Sequence, residues 1–188
     1  MSDFDTTGLY TGKQRGYMET YPNGVPVNPL DIKPEDLHIE TIAHALSLIC
    51  RFGGHVKEFY SVAEHCIRVS QIVLPEYKLA ALLHDSSEAY LGDIIRPIKY
   101  SIRWFEDLDK KTQSTVMKRF GIDYNEVVEK AVKDADNRLG FTEGRDLMYK
   151  VETWGKFTGF LPDKIIPLSS GKAERIFLRL FRQYGGKD

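Results

Sequence analysis

The sequence predicts an all-α fold. Three observations favour this class: apolar residues recur with a helical period through most of residues 37–188, strand-like alternation is sparse, and no internal repeat is visible. With 188 residues, the chain can bury one compact core without covalent cross-links. Residues 1–36 are rich in turn-forming residues, so we expect an irregular segment that packs on the core or begins with a short hairpin.

The first two predicted helices have recognisable ends. The first follows the i, i+3, i+4 pattern from Ile39 to Cys50, and the glycines that follow it suit a helix C-terminus. The second begins after Ser61, because Glu64 stands three residues further on in a capping-box arrangement. Pro75 ends it.

Four further helices complete the prediction. The third, YKLAALLHDSSEAYLG, is expected to run unbroken to Gly92, and the fourth covers SIRWFEDLDKKTQSTVMKRFG. The fifth begins near Asn125, with an interruption expected near Gly140 or Gly144. The last, KAERIFLRLFRQY, is amphipathic, and its apolar face is either core or a contact surface, with core preferred. LPDKIIPL before it is predicted to be extended or loop.

Composition narrows the class of ligand. The formal net charge is −1, which gives no overall attraction to nucleic acid or to an anionic membrane, so a small molecule is the expected partner. No stretch approaches the roughly 20 apolar residues of a membrane span, and the N-terminus lacks a signal-peptide pattern. Cys50 and Cys66 have no CxxC partner and are predicted to be buried, reduced thiols. We therefore expect a cytoplasmic protein.

Four side chains form a candidate metal site. His65 belongs to the second predicted helix, His84 and Asp85 are adjacent in the third, and Asp136 lies in the fifth. Two imidazoles and two carboxylates suit Zn, Co, Mn or Fe better than an all-thiolate or all-oxygen shell would. Taken singly, each could equally be a packed histidine, a paired carboxylate or a solvated helix residue. Sequence spacing alone does not bring them together.

Three segments in order resemble a known pattern. SVAEHC, LLHDSSEAYLGD and KDADNRL resemble the H…HD…D motif of the HD-domain phosphohydrolase superfamily, over roughly residues 38–140. Within it, the chain most resembles bacterial 5'-deoxynucleotidases and related prophage and phage nucleotide phosphohydrolases. The segment ICRFGGHVKEFYSVAEH is also similar to a segment of these enzymes. The resemblance implies an HD-domain helical bundle over residues 37–188, a homo-oligomer, and one divalent transition metal. The implied ligands are His65, His84, Asp85 and Asp136.

The resemblance also implies roles for residues around the metal. Glu88 matches the acid/base that orients the attacking water. Asp93 matches a carboxylate near the sugar, although it could instead cap the segment that follows it. Arg51 and Phe52 stand where the family has an arginine and a tryptophan that line the substrate pocket. Because Phe52 departs from tryptophan, base preference stays open.

Two cations extend the candidate substrate site. Arg96 and Lys99, in the RPIK segment, could hold phosphate oxygens or could be ordinary surface charges. The implied activity is a 5'-nucleotidase that releases phosphate from a dNMP. A dATP-type triphosphohydrolase, in which Mg²⁺ could accompany the substrate, and a non-catalytic nucleotide-binding HD module are the alternatives. A module that only binds would be expected to lose a ligand or Glu88, and this chain keeps all of them.

Overall fold

The structure, a computed structural model, describes residues 16–149 and 158–188. Within these residues the fold is mostly helical, as the sequence predicts, with one small hairpin. The helices are α1 (Ile39–Leu48), α2 (Val62–Ile72), α3 (Lys78–Leu82), α4 (Glu88–Leu91), α5 (Arg96–Lys99), α6 (Arg103–Arg119), α7 (Glu126–Leu147) and α8 (Ser170–Gln183). Short 3-10 helices cover Pro34–Asp36, Arg51–Gly54 and Pro75–Tyr77.

The hairpin lies in the segment that was expected to be irregular. Strand β1 (Met18–Thr20) pairs antiparallel with β2 (Val25–Val27), with Met18 opposite Val27. Val27 is fully buried and joins the main core. Residues 1–15, which belong to the same predicted segment, lie outside the described residues.

Helix α2 is shared by the two hydrophobic clusters. The larger cluster forms where α1, α2 and α8 pack together, around side chains such as Leu46, Cys66 and Phe177. The smaller cluster packs α7 against α2 and α3, through Val69 and Leu139 among others. The prediction that α8 contributes its apolar face to the core is confirmed. Because α2 contributes to both clusters, its side chains are held rigidly in the interior.

The prediction of one continuous third helix is wrong, because the structure interrupts it in the middle. The chain forms α3, leaves the helix over residues 83–87, and resumes as α4, so His84 and Asp85 lie in a turn. Asp85, Ser86 and Ser87 have poor helix propensity, because their short polar side chains favour caps and turns over helix interiors. The turn therefore costs little relative to a helix.

Three other boundaries differ from prediction. Helix α1 ends at Leu48, before the predicted Cys50, and RPIK forms the short helix α5. Helix α7 continues through Gly140 and Gly144 without the expected interruption. Its buried face, which includes Leu139 and Leu147, packs against the core, and this tertiary packing outweighs the low helix propensity of glycine.

The remaining expectations concern loops, thiols and membranes. Residues 160–169 contain no helix or strand, as predicted for LPDKIIPL, and Arg145 holds this stretch by donating from Nη1 to the Leu161 carbonyl at 2.9 Å. Both cysteines are free thiols; Cys66 is buried as expected, but Cys50 is only partly so. In the part of the chain that the structure describes, no helix is long and apolar enough to cross a bilayer.

Candidate metal centre

The other three predicted metal ligands lie around the buried imidazole of His65. Nε2 of His65 lies 3.3 Å from Nε2 of His84, 3.3 Å from Oδ1 of Asp136 and 3.5 Å from Oδ2 of Asp85. Nε2 of His84 lies 3.2 Å from the same Asp85 oxygen. Ligand atoms of His65, His84 and Asp136 all lie within 4.8 Å of one another. Helices α2 and α7 and the turn between α3 and α4 supply these groups.

These separations fit a small transition-metal ion. Donor atoms about 2.0–2.1 Å from a tetrahedral zinc ion are about 3.3 Å from one another. The four distances between donor atoms, from 3.2 to 3.5 Å, are close to that value. His65, His84 and Asp136 therefore fit one divalent cation with mixed nitrogen and oxygen ligands, and Asp85 lies against both imidazoles.

The outer nitrogens of both imidazoles fix the tautomer that such a site needs. Nδ1 of His84 lies 2.8 Å from the Ala81 carbonyl oxygen, which can only accept, so Nδ1 carries the proton. Nδ1 of His65 lies 2.6 Å from Oε1 of the Glu143 carboxylate, to which it donates in the same way. Each Nε2 then offers a lone pair, and two lone pairs this close together need a cation or a proton between them.

Charges around the cluster raise the pKa values of both histidines and lower those of both aspartates. Burial alone would lower the pKa of His65, and Arg51 would lower it further, but Glu143 and Asp136 outweigh both and raise it. Burial likewise opposes protonation of His84, yet Asp85 raises its pKa well above the usual value. The pKa values of Asp85 and Asp136 are lowered: the histidines outweigh the opposing effect of burial. Both carboxylates are therefore anionic at neutral pH.

Asp136 is oriented by two cations. Its Oδ1 faces His65, while its Oδ2 accepts from Nη2 of Arg96 at 3.1 Å and from Nζ of Lys133 at 2.7 Å. Both cationic side chains are about half exposed, whereas Asp136 is nearly buried. Arg96, predicted to bind phosphate, thus contacts a ligand carboxylate in this structure.

Sequence reasoning missed Glu143, the buried residue that supports His65. Besides His65, its carboxylate accepts from the Tyr60 hydroxyl at 2.8 Å and from Nη2 of Arg51 at 3.2 Å. A carboxylate behind a ligand histidine fixes the ring and increases its basicity. Glu143 follows Asp136 by two helical turns of α7, which places the two on one face. A prediction of one continuous helix through Gly140 would have placed Glu143 on the same face as Asp136 and so marked it as a candidate site residue.

Arg51 is a buried cation between the carboxylates. Its Nη1 lies 3.6 Å from Oδ2 of Asp85, and its Nη2 contacts Glu143, while its buried Nε has no hydrogen-bond partner among the described residues. The guanidinium lies over the ring of Phe52, 5.1 Å from the centroid. Phe52 has a φ of 58°, in the left-handed region where a side chain is strained, as is often found at functional sites.

Glu88 is buried beside the cluster with one oxygen unpaired. Its Oε2 has no hydrogen-bond partner in the described part of the chain. Burial raises the pKa of Glu88 well above its ordinary value, Asp85 and Asp93 raise it further, and Arg51 and Lys99 act against them. Such an atom is a candidate acceptor for a proton or a water molecule.

Two further predicted residues lie close to these groups. The Phe52 backbone N–H donates to the Asp93 carboxylate, whose pKa burial raises. Lys99 donates to Oδ2 of Asp109 at 2.7 Å; burial alone would lower its pKa, but Asp109 outweighs that effect. Both charges contribute to the electrostatics of Glu88.

Cys66 is an alternative donor that the chemistry disfavours. It forms a second group with His84 and Asp85 whose ligand atoms all lie within 4.8 Å of one another. Burial raises the pKa of its thiol to about 11, so the thiol is protonated at neutral pH, and a protonated thiol is a poor ligand. The histidine and aspartate set is the better match.

Fold and site together define a mostly helical protein with a buried histidine and aspartate cluster that could hold a metal ion. No protein-family model matches the chain. It is 36% identical over 154 residues to the uncharacterized protein YfdR of Escherichia coli (strain K12), which covers 80% of this chain and 85% of YfdR. It is also 36% identical over 126 residues to an uncharacterized protein of Rhodobacter capsulatus, covering 61% of this chain and 64% of that protein. The chain belongs to the family of YfdR.

Proposed function

We propose that this chain is a metal-dependent HD-domain phosphohydrolase that acts on deoxyribonucleotides, as a 5'-nucleotidase that releases phosphate from a dNMP. The observation that carries the proposal is the combination of four converging ligands with Glu88, a buried carboxyl group that has an unpaired oxygen. A site that only stabilised the fold would have no need of that second feature.

The ligand set and Glu88 divide the chemistry between them. A divalent cation held by His65, His84, Asp85 and Asp136 would lower the pKa of a bound water and offset negative charge on the phosphate. Glu88 accepts the proton as a water oxygen bonds to phosphorus, and the bond from phosphorus to the 5'-oxygen breaks. Glu88 then returns the proton to that oxygen, giving nucleoside and phosphate.

The surrounding cations offset the charge of the phosphate. The unpaired Nε of Arg51 can donate to a phosphate oxygen while both Nη atoms keep their carboxylate partners. Lys99 supplies a second positive charge from α5. Asp93, which accepts from the Phe52 backbone, would accept a hydrogen bond from the sugar 3'-hydroxyl.

A dNTP triphosphohydrolase is the second candidate. Arg96 and Lys133 are half exposed beside Asp136, and such a pair can bind the outer phosphates of a longer chain. In that reaction water attacks the α-phosphorus, the bond from that phosphorus to the 5'-oxygen breaks, and nucleoside and triphosphate are released. The two candidates break the same type of bond and differ in substrate and in the phosphate product.

One assay separates these activities. Protein stripped of metal with a chelator is reloaded with Co, Mn, Zn or Mg, incubated with dNMP, dNTP and NTP panels, and the products are separated by ion-exchange chromatography. We expect nucleoside and phosphate from a dNMP, and none from the His65→Ala protein. Triphosphate from dATP would overturn the first choice in favour of the second. Nucleotide binding without any product would instead support the third alternative, a non-catalytic nucleotide-binding module.

Location and assembly belong to the same proposal. The cysteine pattern and the lack of a signal-peptide pattern favour a cytoplasmic location, and the resemblance favours a homo-oligomer. Light scattering coupled to gel filtration would test the oligomer directly. A single species with the mass of one chain would overturn it.

A further inference from the structure

The turn that carries two of the ligands has backbone hydrogen bonds of its own. The Ser86 N–H donates to the Leu83 carbonyl at 3.1 Å, and the Glu88 N–H donates to the Asp85 carbonyl at 3.0 Å. These local contacts do not tie the turn to the helices around it, and a displacement of about 1 Å would move two ligand atoms away from His65 and Asp136. The position of the turn therefore also depends on its contacts with other elements.

Gln113 of α6 holds both ends of that turn. Its Nε2 donates to the Leu83 carbonyl at 2.7 Å, and its Oε1 accepts from the Ser87 backbone N–H at 3.0 Å. The two contacts bracket His84, Asp85 and Ser86. Among side chains of this length, only a primary amide donates and accepts from the same end group; glutamate cannot donate when ionised, and lysine cannot accept.

Asp109, one helical turn earlier on α6, anchors two more groups. Its Oδ1 accepts from the Ser87 hydroxyl at 2.6 Å, and its Oδ2 binds Nζ of Lys99 at 2.7 Å. Asp109 is 14% exposed and Lys99 is 22% exposed, so the pair is shielded from most of the solvent. Asp109 and Gln113 are four residues apart and therefore share one face of α6.

We propose that Gln113 and Asp109 are positioning residues of the metal centre: Gln113 sets the geometry of the ligand turn, and Asp109 holds Ser87 and directs Lys99 toward the site. The first part depends only on the four metal ligands. The second part, the use of Lys99 to bind phosphate, rests on the proposed function. Neither residue is among the four candidate metal ligands.

The Gln113→Leu variant tests the first part. It keeps a similar side-chain volume and removes both hydrogen bonds. We expect Zn²⁺ affinity, measured by competition with a chromogenic chelator, to fall roughly 10- to 100-fold. The visible absorption of the Co²⁺-loaded protein should also change, because its bands report the coordination geometry. Gln71→Leu, the same change at an exposed position of α2, should leave both unchanged.

A second variant keeps the test decisive if Gln113→Leu does not fold. Gln113→Glu preserves the acceptor for Ser87 and loses the donor to Leu83, so its Zn²⁺ affinity should lie between those of the wild type and the leucine variant. A folded Gln113→Leu protein with wild-type affinity and spectrum would overturn the proposal. So would a Gln113→Glu protein with both unchanged.

Asp109→Asn isolates the second part, because the amide still accepts from Ser87 but no longer holds the Lys99 charge. We expect binding of inorganic phosphate to the Zn²⁺-loaded protein, followed by calorimetry, to weaken about tenfold. Zn²⁺ affinity should stay the same. Unchanged phosphate binding would overturn the role of Asp109. Because neither readout requires turnover, a protein that hydrolyses no nucleotide would refute the proposed function and still decide this inference.

Discussion

The carboxyl group of Glu88 is buried near Asp85, has one oxygen without a hydrogen-bond partner in the described residues, and is not among the four candidate ligands. We therefore expect Glu88→Gln to keep its metal content and to lose a factor of about 10²–10⁴ in nucleotide hydrolysis. Metal content is measured by mass spectrometry and turnover by phosphate release. Glu76→Gln, the same change at an exposed position, is the control. Wild-type turnover in Glu88→Gln would exclude the acid/base role.

Glu143 holds the candidate ligand His65, and it also contributes to the stability of the fold in a way that depends on pH. Burial would raise its pKa, but Arg51, His65 and Tyr60 outweigh burial and lower the pKa from its ordinary 4.5 to about 2. A lowered carboxyl pKa stabilises the fold fully above about pH 4.5, and that contribution is lost as the pH falls toward 2. Because a pKa change of one unit corresponds to about 1.36 kcal/mol, the ionised Glu143 contributes about 3 kcal/mol to the unfolding free energy.

The Glu143→Gln variant tests this linkage in the metal-free protein. Its unfolding free energy, measured with urea across a pH series, should be lower than that of the wild type at pH 7. It should also fall less steeply between pH 4.5 and 2, because the titrating group is gone. Parallel curves for the two proteins would contradict the assignment.

At the scale of single helices, α7 carries a glycine that the structure does not require. Gly140 lies inside the helix, and a methyl group added there would meet no atom within 4 Å. Gly140→Ala should therefore increase the unfolding free energy by about 0.5–1 kcal/mol, because alanine has less conformational freedom to lose. Urea unfolding measures the change.

Gly121 is a matched control for the same substitution. It also has open space around it, but its φ of 68° lies in the left-handed region. Gly121→Ala should destabilise the protein by about 1–2 kcal/mol, because a Cβ is strained in that conformation. Equal effects at the two positions would show that backbone conformation does not determine the outcome.

The sequence predicted long regular elements better than it predicted the turn at the site. Periodicity identifies α1, α2, α6 and α8 because each buries one face, and the Ser61 cap of α2 is present, with its side chain accepting from the Glu64 N–H. The break in the helix after Leu82 was not predicted. The turn there is hydrogen-bonded to Gln113, which belongs to α6, and a contact between distant segments leaves no local signal in the sequence. Because a break was expected at Gly140, the sequence did not indicate that Glu143 and Asp136 lie on one face of the same helix.

Across the whole molecule, the candidate ligands join parts of the chain that are far apart in sequence. A cation bound to α2, α7 and the intervening turn stabilises the folded state by mass action. Zn²⁺ at 100 times its dissociation constant should add about 2.7 kcal/mol and raise the melting temperature by roughly 5–10 °C. Differential scanning calorimetry measures the shift. Asp136→Asn should reduce it strongly, and an equal shift in that variant would place the ion elsewhere.

The facing nitrogens of His65 and His84 have one more consequence. Neighbouring carboxylates raise the pKa values of both rings, so both rings take up protons as the pH falls. Uptake of a cation must then expel these hydrogen ions into the buffer. The heat of binding should consequently vary with the ionisation enthalpy of the buffer, and acidification should weaken metal binding.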